Sequence, residues 1–128
     1  MSQILIQKQE QKLWQILDDC VKTNKYQQIK GSLGDRDKAC AMGVLGATLS
    51  GSDSFDERHS AIVNNKDKFI IDDYIGLQYR ADKEYLTNYL KKSFDETGKI
   101  HFHAVSLMND YCDVSFAEFR DMFKGMGA

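Results

Sequence analysis

The chain has 128 residues, of which 42% are hydrophobic and 28% charged, a composition typical of one globular domain with its own core. Seventeen lysines and arginines stand against nineteen aspartates and glutamates, giving a formal net charge of -2, and no long run of like charges predicts binding to nucleic acid or to an anionic membrane. No stretch approaches the ~20 apolar residues of a membrane span. We therefore expect a soluble protein with a single domain, residues 1–128, and no membrane partner.

The compartment follows from the first residues and from the cysteines. The N-terminus lacks the basic start and the apolar run of about 7–15 residues that a secretory signal needs, so we expect a cytoplasmic location. Cys20, Cys40 and Cys112 are an odd number of cysteines at wide spacing, which favours reduced thiols over a disulfide framework.

The first half of the chain has a clear helical period at its start. Apolar residues spaced by three, four and seven predict an amphipathic helix over residues 4–23. Residues 25–37 hold two glycines and no such period, which predicts a turn or a short hairpin. Asp37 is the predicted N-cap of a second helix over residues 38–50.

The second helix is predicted to be the central one. Gly43 and Gly46 each cost about 1 kcal/mol relative to alanine inside a helix, so a compensating reason such as a close approach of another backbone is expected. We expect the first helix, through Trp14 and Leu17, to lie against these glycines.

The middle of the chain is less regular. Residues 51–55 predict a turn, and the polar residues 56–68 predict a loop with a short helical turn. Residues 69–71 and 75–79 are candidates for short extended pieces.

Periodicity returns in the last third of the chain. A helix is predicted from Asp82 to about Gly98, where glycine suits a helix C-terminus. Residues 100–108 fit a strand at their start and a helix at their end. Ser115 and Glu118 form a capping box that begins a last helix, and Gly125 is its expected end.

These elements predict an α+β fold that is mainly helical. We expect one compact domain of about four helices with a few short extended segments.

Five short motifs follow one another along the chain. They are Trp14 with Leu17; Tyr26-x-Gln28-x-x-Gly31-x-Leu33; Cys40-x-Met42-Gly-Val-Leu45; Leu107-x-Asn109-Asp110; and Ser115-Phe-x-Glu118. In this order they resemble an uncharacterised family of small proteins common in tailed-phage and prophage genomes, whose pattern reads W-x-x-A-L, Y-x-Q-x-x-G-x-L, C-C-L-G-V-L, L-N-D and S-F-x-E-I-A. Two of the motifs depart from it: Ala41 stands where the family has its second cysteine, and Phe119-Arg120 stand where the family has Ile-Ala after the glutamate.

The resemblance implies a phage or prophage origin and therefore action in the host cytoplasm, but it brings no established activity. We expect a phage-type accessory protein that acts by binding a host or phage macromolecule, a protein in the first instance, with anti-defence or host takeover as candidate roles. The predicted binding residues are Tyr26, Gln28, Asn109 and Asp110. No cofactor and no metal are expected.

The alternative hypothesis is a cysteine-dependent hydrolase or transferase. Cys40 falls in the first turn of the predicted second helix, where the helix dipole lowers a thiol pKa and favours the nucleophilic thiolate. His103 and Asn109 follow it in the order of papain-like enzymes, so the candidate catalytic residues are Cys40, His103 and Asn109, with His101 as the other possible imidazole. The plainer interpretation is that Cys40 is buried as a small hydrophobic residue.

Other site chemistries have weaker patterns. His101 and His103 would point to one side of a strand, and with Cys112 and either Cys40 or Asp110 they could ligate zinc, but no paired C-x2-C spacing supports this. The glycine pairs follow no hydrophobic strand, so nucleotide binding is not expected.

Two further patterns have a structural interpretation beside the functional one. The Asn109-Asp110 pair is typical of side chains that accept hydrogen bonds from loop amides. The six tyrosines suit either the rim of the core or a recognition surface.

Overall fold

The computed structural model describes residues 11–128. This part of the chain contains six α-helices and two two-stranded sheets. The helices are α1 (Leu13–Thr23), α2 (Ala41–Ser50), α3 (Phe55–Asn64), α4 (Lys83–Thr97), α5 (Phe102–Tyr111) and α6 (Phe116–Met126). The strands are β1 (Gln27–Gln28), β2 (Lys38–Ala39), β3 (Phe69–Ile70) and β4 (Ile100–His101). Helix accounts for 59% and strand for 7% of the described residues, so the mainly helical class is confirmed. The expected number of about four helices was too low.

Each sheet is a short parallel pair that joins distant segments. β1 pairs with β2, and β3 pairs with β4 in the register Phe69 to Ile100. Because each strand has only two residues, the sheets bury little surface. They connect the segments between the helices by backbone pairing.

α2 is the central helix, as predicted. Its first seven residues are all buried, and a Cβ added at Gly43 would lie 1.9 Å from the carbonyl oxygen of Leu33. At Gly46 the added atom would lie 2.6 Å from the carbonyl oxygen of Arg58. The glycines therefore allow close backbone approach, but by the Leu33 loop and by α3, so the prediction that they face Trp14 and Leu17 of α1 was wrong.

α1 packs mainly against α6 at the C-terminal end of the chain. The amide of Trp14 donates to the carbonyl of Ala128 at 3.2 Å. The predicted helix over residues 4–23 is confirmed from Leu13 onward; Gln11 and Lys12 precede the helix, and residues 4–10 lie outside the described part.

Two predictions around α2 and α3 were wrong. Asp37 does not cap α2, because Lys38 and Ala39 are drawn into pairing with β1 and the helix begins one turn later, with Cys40 as its N-cap. Residues 56–68 are not mainly a loop, because α3 is capped by Ser54 and buries one side of its surface through Ile62. The other buried residue of α3 is Arg58. Because this residue is charged, the spacing of hydrophobic residues did not indicate a helix here.

The elements in the last third of the chain agree better with the predictions made from the sequence. Asp82 and Gly98 cap α4, and the Ser115–Glu118 capping box begins α6 as predicted. α6 does not end at Gly125 but at Met126, with Gly127 in the left-handed conformation after it.

The stretches on either side of α4 agree with the predictions in part. Residues 69–70 form the extended β3, whereas residues 77–79 form a 3-10 turn and not an extended piece. Residues 100–108 contain both predicted states, a strand as far as His101 and a helix after it. No helix in the described range is long and apolar enough to cross a membrane.

Candidate functional site

The Asn109 side chain is the centre of a buried hydrogen-bond network. It is 1% exposed, and its Oδ1 accepts from Nε2 of Gln28 at 2.8 Å and from the backbone amide of Ala41 at 3.1 Å. Its Nδ2 donates to the carbonyl of Ile29 at 2.8 Å and to Oδ1 of Asp110 at 3.0 Å. All the hydrogen-bonding capacity of this amide is therefore used within the protein.

Gln28 extends the Asn109 network to the start of α6. Its Nε2 also donates to the carbonyl of Val114 at 2.8 Å, and its Oε1 accepts from the amide of Phe116 at 3.1 Å. At the other end of the network, Oδ1 of Asp110 accepts from the amide of Gly31 at 2.9 Å. Because Gly31 has φ +80, the chain turns there in a conformation that favours glycine.

The structure therefore brings together three of the four predicted binding residues, Gln28, Asn109 and Asp110. Their hydrogen bonds connect four parts of the chain: the segment after β1, the first residue of α2, the C-terminal end of α5 and the N-terminal end of α6. This agrees with the structural interpretation of the Asn109-Asp110 pair.

Tyr26, the fourth predicted binding residue, belongs to a different cluster. Its hydroxyl donates to Oδ1 of Asp53 at 2.7 Å, and its ring lies 5.3 Å from the guanidinium of Arg58. Burial, together with the bond to Asp53, raises the pKa of Tyr26 to about 12. The phenol is therefore an uncharged structural donor at neutral pH.

Arg58 fixes the loop between β1 and β2. It is fully buried, and Nη1 donates to the carbonyls of Leu33 at 2.9 Å and Lys38 at 2.7 Å, while Nη2 donates to that of Arg36 at 2.6 Å. Sequence reasoning missed this residue, since no local pattern shows that a charged side chain in a polar segment caps the carbonyls of a loop some 20 residues earlier.

A groove of about 400 Å³ opens beside the Asn109 network and beside the β1–β2 loop, whose carbonyl groups are bonded to Arg58. We call it the motif groove, and its lining residues are Gly31, Ser32, Leu33, Cys40, Phe55, His59, Phe102, Ser106 and Asp110. Phe55 is 45% exposed and stacks on His59, with ring centres 6.4 Å apart and an angle of 13° between the planes. Phe55 and His59 were not predicted as groove residues, because Phe55 lies in the segment expected to be a turn and His59 in the segment expected to be a loop with a short helical turn.

Cys40 contributes one wall of the motif groove and at the same time caps α2. Its Sγ accepts from the amide of Gly43 at 3.3 Å, and the residue is 4% exposed. Burial raises the pKa of the Cys40 thiol, and the amides of Gly43 and Met42 offset only part of that rise. The expected lowering of this pKa at a first-turn position is therefore corrected: Cys40 is the N-cap, and its thiol is protonated at neutral pH.

The predicted catalytic partners of Cys40 form hydrogen bonds with other groups. Nδ1 of His103 accepts from the amide of Ile75 at 2.9 Å, and its ring stacks on Tyr74 at 4.9 Å. His103 does not line the motif groove, and within residues 11–128 no hydrogen bond joins Cys40 to His103 or to Asn109.

His101 lies on β4 and His103 in α5, so they do not share one side of a strand as expected. Nδ1 of His101 accepts from the amide of Ala104 at 3.2 Å as the N-cap of α5, and its Nε2 lies 3.2 Å from Oδ2 of Asp73. Across the described residues, no group of three histidine, cysteine, aspartate or glutamate side chains could hold a metal ion.

Comparison with known proteins adds no relative from which a function could be inferred. No protein-family model, no curated protein and no solved structure matches this chain.

Proposed function

We propose that this chain is a phage-type accessory protein that acts in the host cytoplasm by binding a host or phage protein through the motif groove. The five motifs, in their order along the chain, support the phage-type part of the proposal. The motif groove supports the binding part.

One observation carries the proposal: three separate motifs each contribute to the wall of the same groove. The second motif supplies Gly31 and Leu33, the third supplies Cys40, and the fourth supplies Asp110. These residues are up to 79 positions apart in the chain, and the Asn109 network holds their backbones together. A concave surface fixed in this way is preorganised, so a partner does not have to offset the entropy of ordering it.

The chemistry of the groove suits an anchor side chain of a partner protein. Leu33, Cys40 and Phe102 provide apolar surface, and Asp110 and two serines provide a few polar groups at fixed places. A pocket of a few hundred Å³ with this mixture is typical of recognition sites. Exposed Phe55 is the residue best placed to bury area when a partner binds.

The alternative, a cysteine-dependent hydrolase or transferase that uses Cys40, His103 and Asn109, has less support. A nucleophilic cysteine needs a lowered pKa and a base within hydrogen-bonding reach. Here the pKa of Cys40 is raised, and the side chains of His103 and Asn109 are bonded to other groups.

The test begins with capture of a partner from a bacterial lysate and continues with purified components. The dissociation constant of the captured partner is measured for the parent chain, for Phe55→Ala and for the matched control Glu57→Ala, an exposed position in the same turn of α3 that does not line the groove. We expect Phe55→Ala to weaken binding by about tenfold or more, as for an interface anchor, and Glu57→Ala to have no effect.

Equal affinities for the parent chain and Phe55→Ala would contradict the groove as the binding site. If the groove is confirmed, the identity of the partner decides between an anti-defence role, host takeover and a role within the phage.

A further inference from the structure

A second groove, of about 590 Å³, lies between β3 with the residues after it and α4. We call it the tyrosine groove. Its charged lining residues are Asp73, Lys92 and Glu96, and its other lining residues include Ile70, Tyr85, Tyr89 and Ser93. It shares no lining residue with the motif groove. Neither the motifs nor the proposed function account for it.

Asp73 is the fixed charge of the tyrosine groove. Its Oδ2 accepts from the hydroxyl of Tyr89 at 2.7 Å and contacts Nε2 of His101 at 3.2 Å. Since Nδ1 of His101 is an acceptor for the amide of Ala104, Nε2 carries the proton of the neutral ring and donates to Asp73. The bond from Tyr89 and then that from His101 lower the pKa of Asp73, so the carboxylate is ionised at neutral pH.

One oxygen of this carboxylate is left for a ligand. The Asp73 side chain is 54% exposed, and its Oδ1 accepts no hydrogen bond from the described residues. Both donors to Oδ2 are themselves held in place, because His101 is fully buried and the Tyr89 ring meets it edge-on at 5.0 Å. The carboxylate is therefore oriented before any ligand binds.

Tyrosine rings stand next to this charge. Tyr79 stacks on Tyr85 at 3.9 Å with 10° between the planes, and Tyr85 lies 6.0 Å from Tyr89. The faces of such rings attract cations, and a planar guanidinium is the side chain that stacks best on them. Glu96 supplies a second carboxylate, paired only loosely with Lys92 at 4.0 Å, and both side chains are more than 60% exposed.

Asp73, Glu96 and Lys92 line the groove, so its lining has one carboxylate more than it has cations, and the segment that contains Asp73 is also acidic. Residues 72–84 contain four carboxylates and two cations, an excess of two that equals the net charge of the entire chain. One of the two cations, Lys83, is already bonded to Glu118 at 2.9 Å. The other, Arg80, lies over the Tyr111 ring at 5.4 Å.

We propose that the tyrosine groove binds an arginine side chain from a basic segment of a partner protein. The guanidinium pairs with Asp73 and stacks on Tyr85 or Tyr89, while Glu96 accepts a neighbouring positive charge of the same segment. Arginine fits better than lysine because its planar fork both pairs with a carboxylate and lies flat on a ring. The site is independent of the motif groove.

The probe is a short capped peptide in which arginines alternate with glycine and serine, and it is titrated into the full-length protein while backbone amide resonances are followed by NMR. Matched peptides replace each arginine by lysine or by citrulline, the neutral isostere of arginine. We expect saturable shifts at Asp73, Tyr85, Tyr89 and Ser93 with the arginine peptide, binding at least about tenfold weaker with the lysine peptide, and none with the citrulline peptide.

Two variants test the role of Asp73. Asp73→Asn keeps an acceptor for Tyr89 and His101 but removes the charge, and we expect it to weaken arginine binding by about tenfold or more. Asp72→Asn removes a neighbouring exposed charge that does not line the groove, and we expect it to change the affinity by less than about twofold.

Three results would overturn the proposal: citrulline binding as strong as arginine binding, equal losses in the two variants, or shifts centred on Phe55 and His59. A lysine peptide that binds as tightly as the arginine peptide would overturn the assignment to arginine. Shifts centred on Phe55 and His59 would place the arginine peptide in the motif groove, whereas the other results leave the proposal for that groove unchanged, because its own partner is measured separately.

Discussion

The side-chain oxygen of Asn109 accepts a hydrogen bond from the backbone amide of Ala41, 68 residues earlier in the chain, at 3.1 Å. The N-terminus of a helix has unpaired amides that a neighbouring group must satisfy, and here that group comes from a different helix. This bond joins the third and fourth motifs and positions the wall of the motif groove that contains Cys40.

The Asn109 network leads to a stability prediction. Asn109→Ala leaves the buried amide of Ala41 and the carbonyl of Ile29 without partners, and we expect a loss of about 3 kcal/mol in the free energy of unfolding. Asn88→Ala, at an exposed position of α4, is the control and is expected to change it by less than about 0.5 kcal/mol. Urea denaturation measures both, and similar midpoints for the two variants would show that the network does not stabilise the fold.

The glycines of α2 lead to a second prediction with an internal control. Gly43→Ala places a Cβ 1.9 Å from a backbone oxygen and Gly46→Ala places one 2.6 Å from another, so both are expected to destabilise by at least about 1–3 kcal/mol, and Gly43→Ala by more. Gly125→Ala in α6 meets nothing within 4 Å and is expected to stabilise by up to about 1 kcal/mol.

Thermal denaturation of the three glycine variants gives the order directly. If Gly43→Ala and Gly46→Ala melt at or above the parent temperature, the close backbone approaches at Leu33 and Arg58 are wrong.

Features formed by residues close together in the sequence were predicted correctly, whereas features that depend on residues far apart in the sequence were not. The Ser115–Glu118 capping box was predictable, because its two residues lie only three positions apart in the sequence. The start of α2 was not, because the pairing of Lys38 and Ala39 with β1 involves residues more than ten positions away. The same reason applies to α3, since the contacts of Arg58 with the carbonyls of the β1–β2 loop do not appear in any periodic pattern.

The candidate site shows the same limit. The motifs identified Gly31, Leu33, Cys40 and Asp110, which do meet at one groove, but spacing alone could not show that Cys40 is an N-cap with a raised pKa. Phe55 and His59 carry no signal in one sequence, because nothing local distinguishes them from other residues of a polar segment.

The buried His101 leads to a prediction about pH. Burial lowers the pKa of His101 below its ordinary value, and the bond to Asp73 offsets only part of this. Below about pH 6.5, the ordinary histidine value, the unfolded chain therefore binds protons that the folded chain does not, so the free energy of unfolding falls as the pH falls. Protonation of Nδ1 would also remove the acceptor of the Ala104 amide.

The check is the melting temperature between pH 7 and pH 5. His101→Asn keeps an N-cap acceptor without titrating, and we expect a shallower fall with acid than in the parent chain. His103, whose pKa burial also lowers, contributes to the fall that remains in His101→Asn. Parallel curves for the parent and His101→Asn would contradict this prediction.

The central claim is that the motifs build a binding groove in which Cys40 is a structural wall residue and not a nucleophile. The most direct measurement is the rate at which iodoacetamide alkylates Cys40 as a function of pH, in a chain where Cys20→Ala and Cys112→Ser leave it as the only thiol. Because burial shields the Cys40 thiol and raises its pKa, we predict a rate far below that of the urea-unfolded chain, rising only above the ordinary thiol pKa of about 8.5. Fast alkylation of the folded protein at neutral pH, with a midpoint well below about pH 8, would contradict the account and favour the cysteine-dependent enzyme.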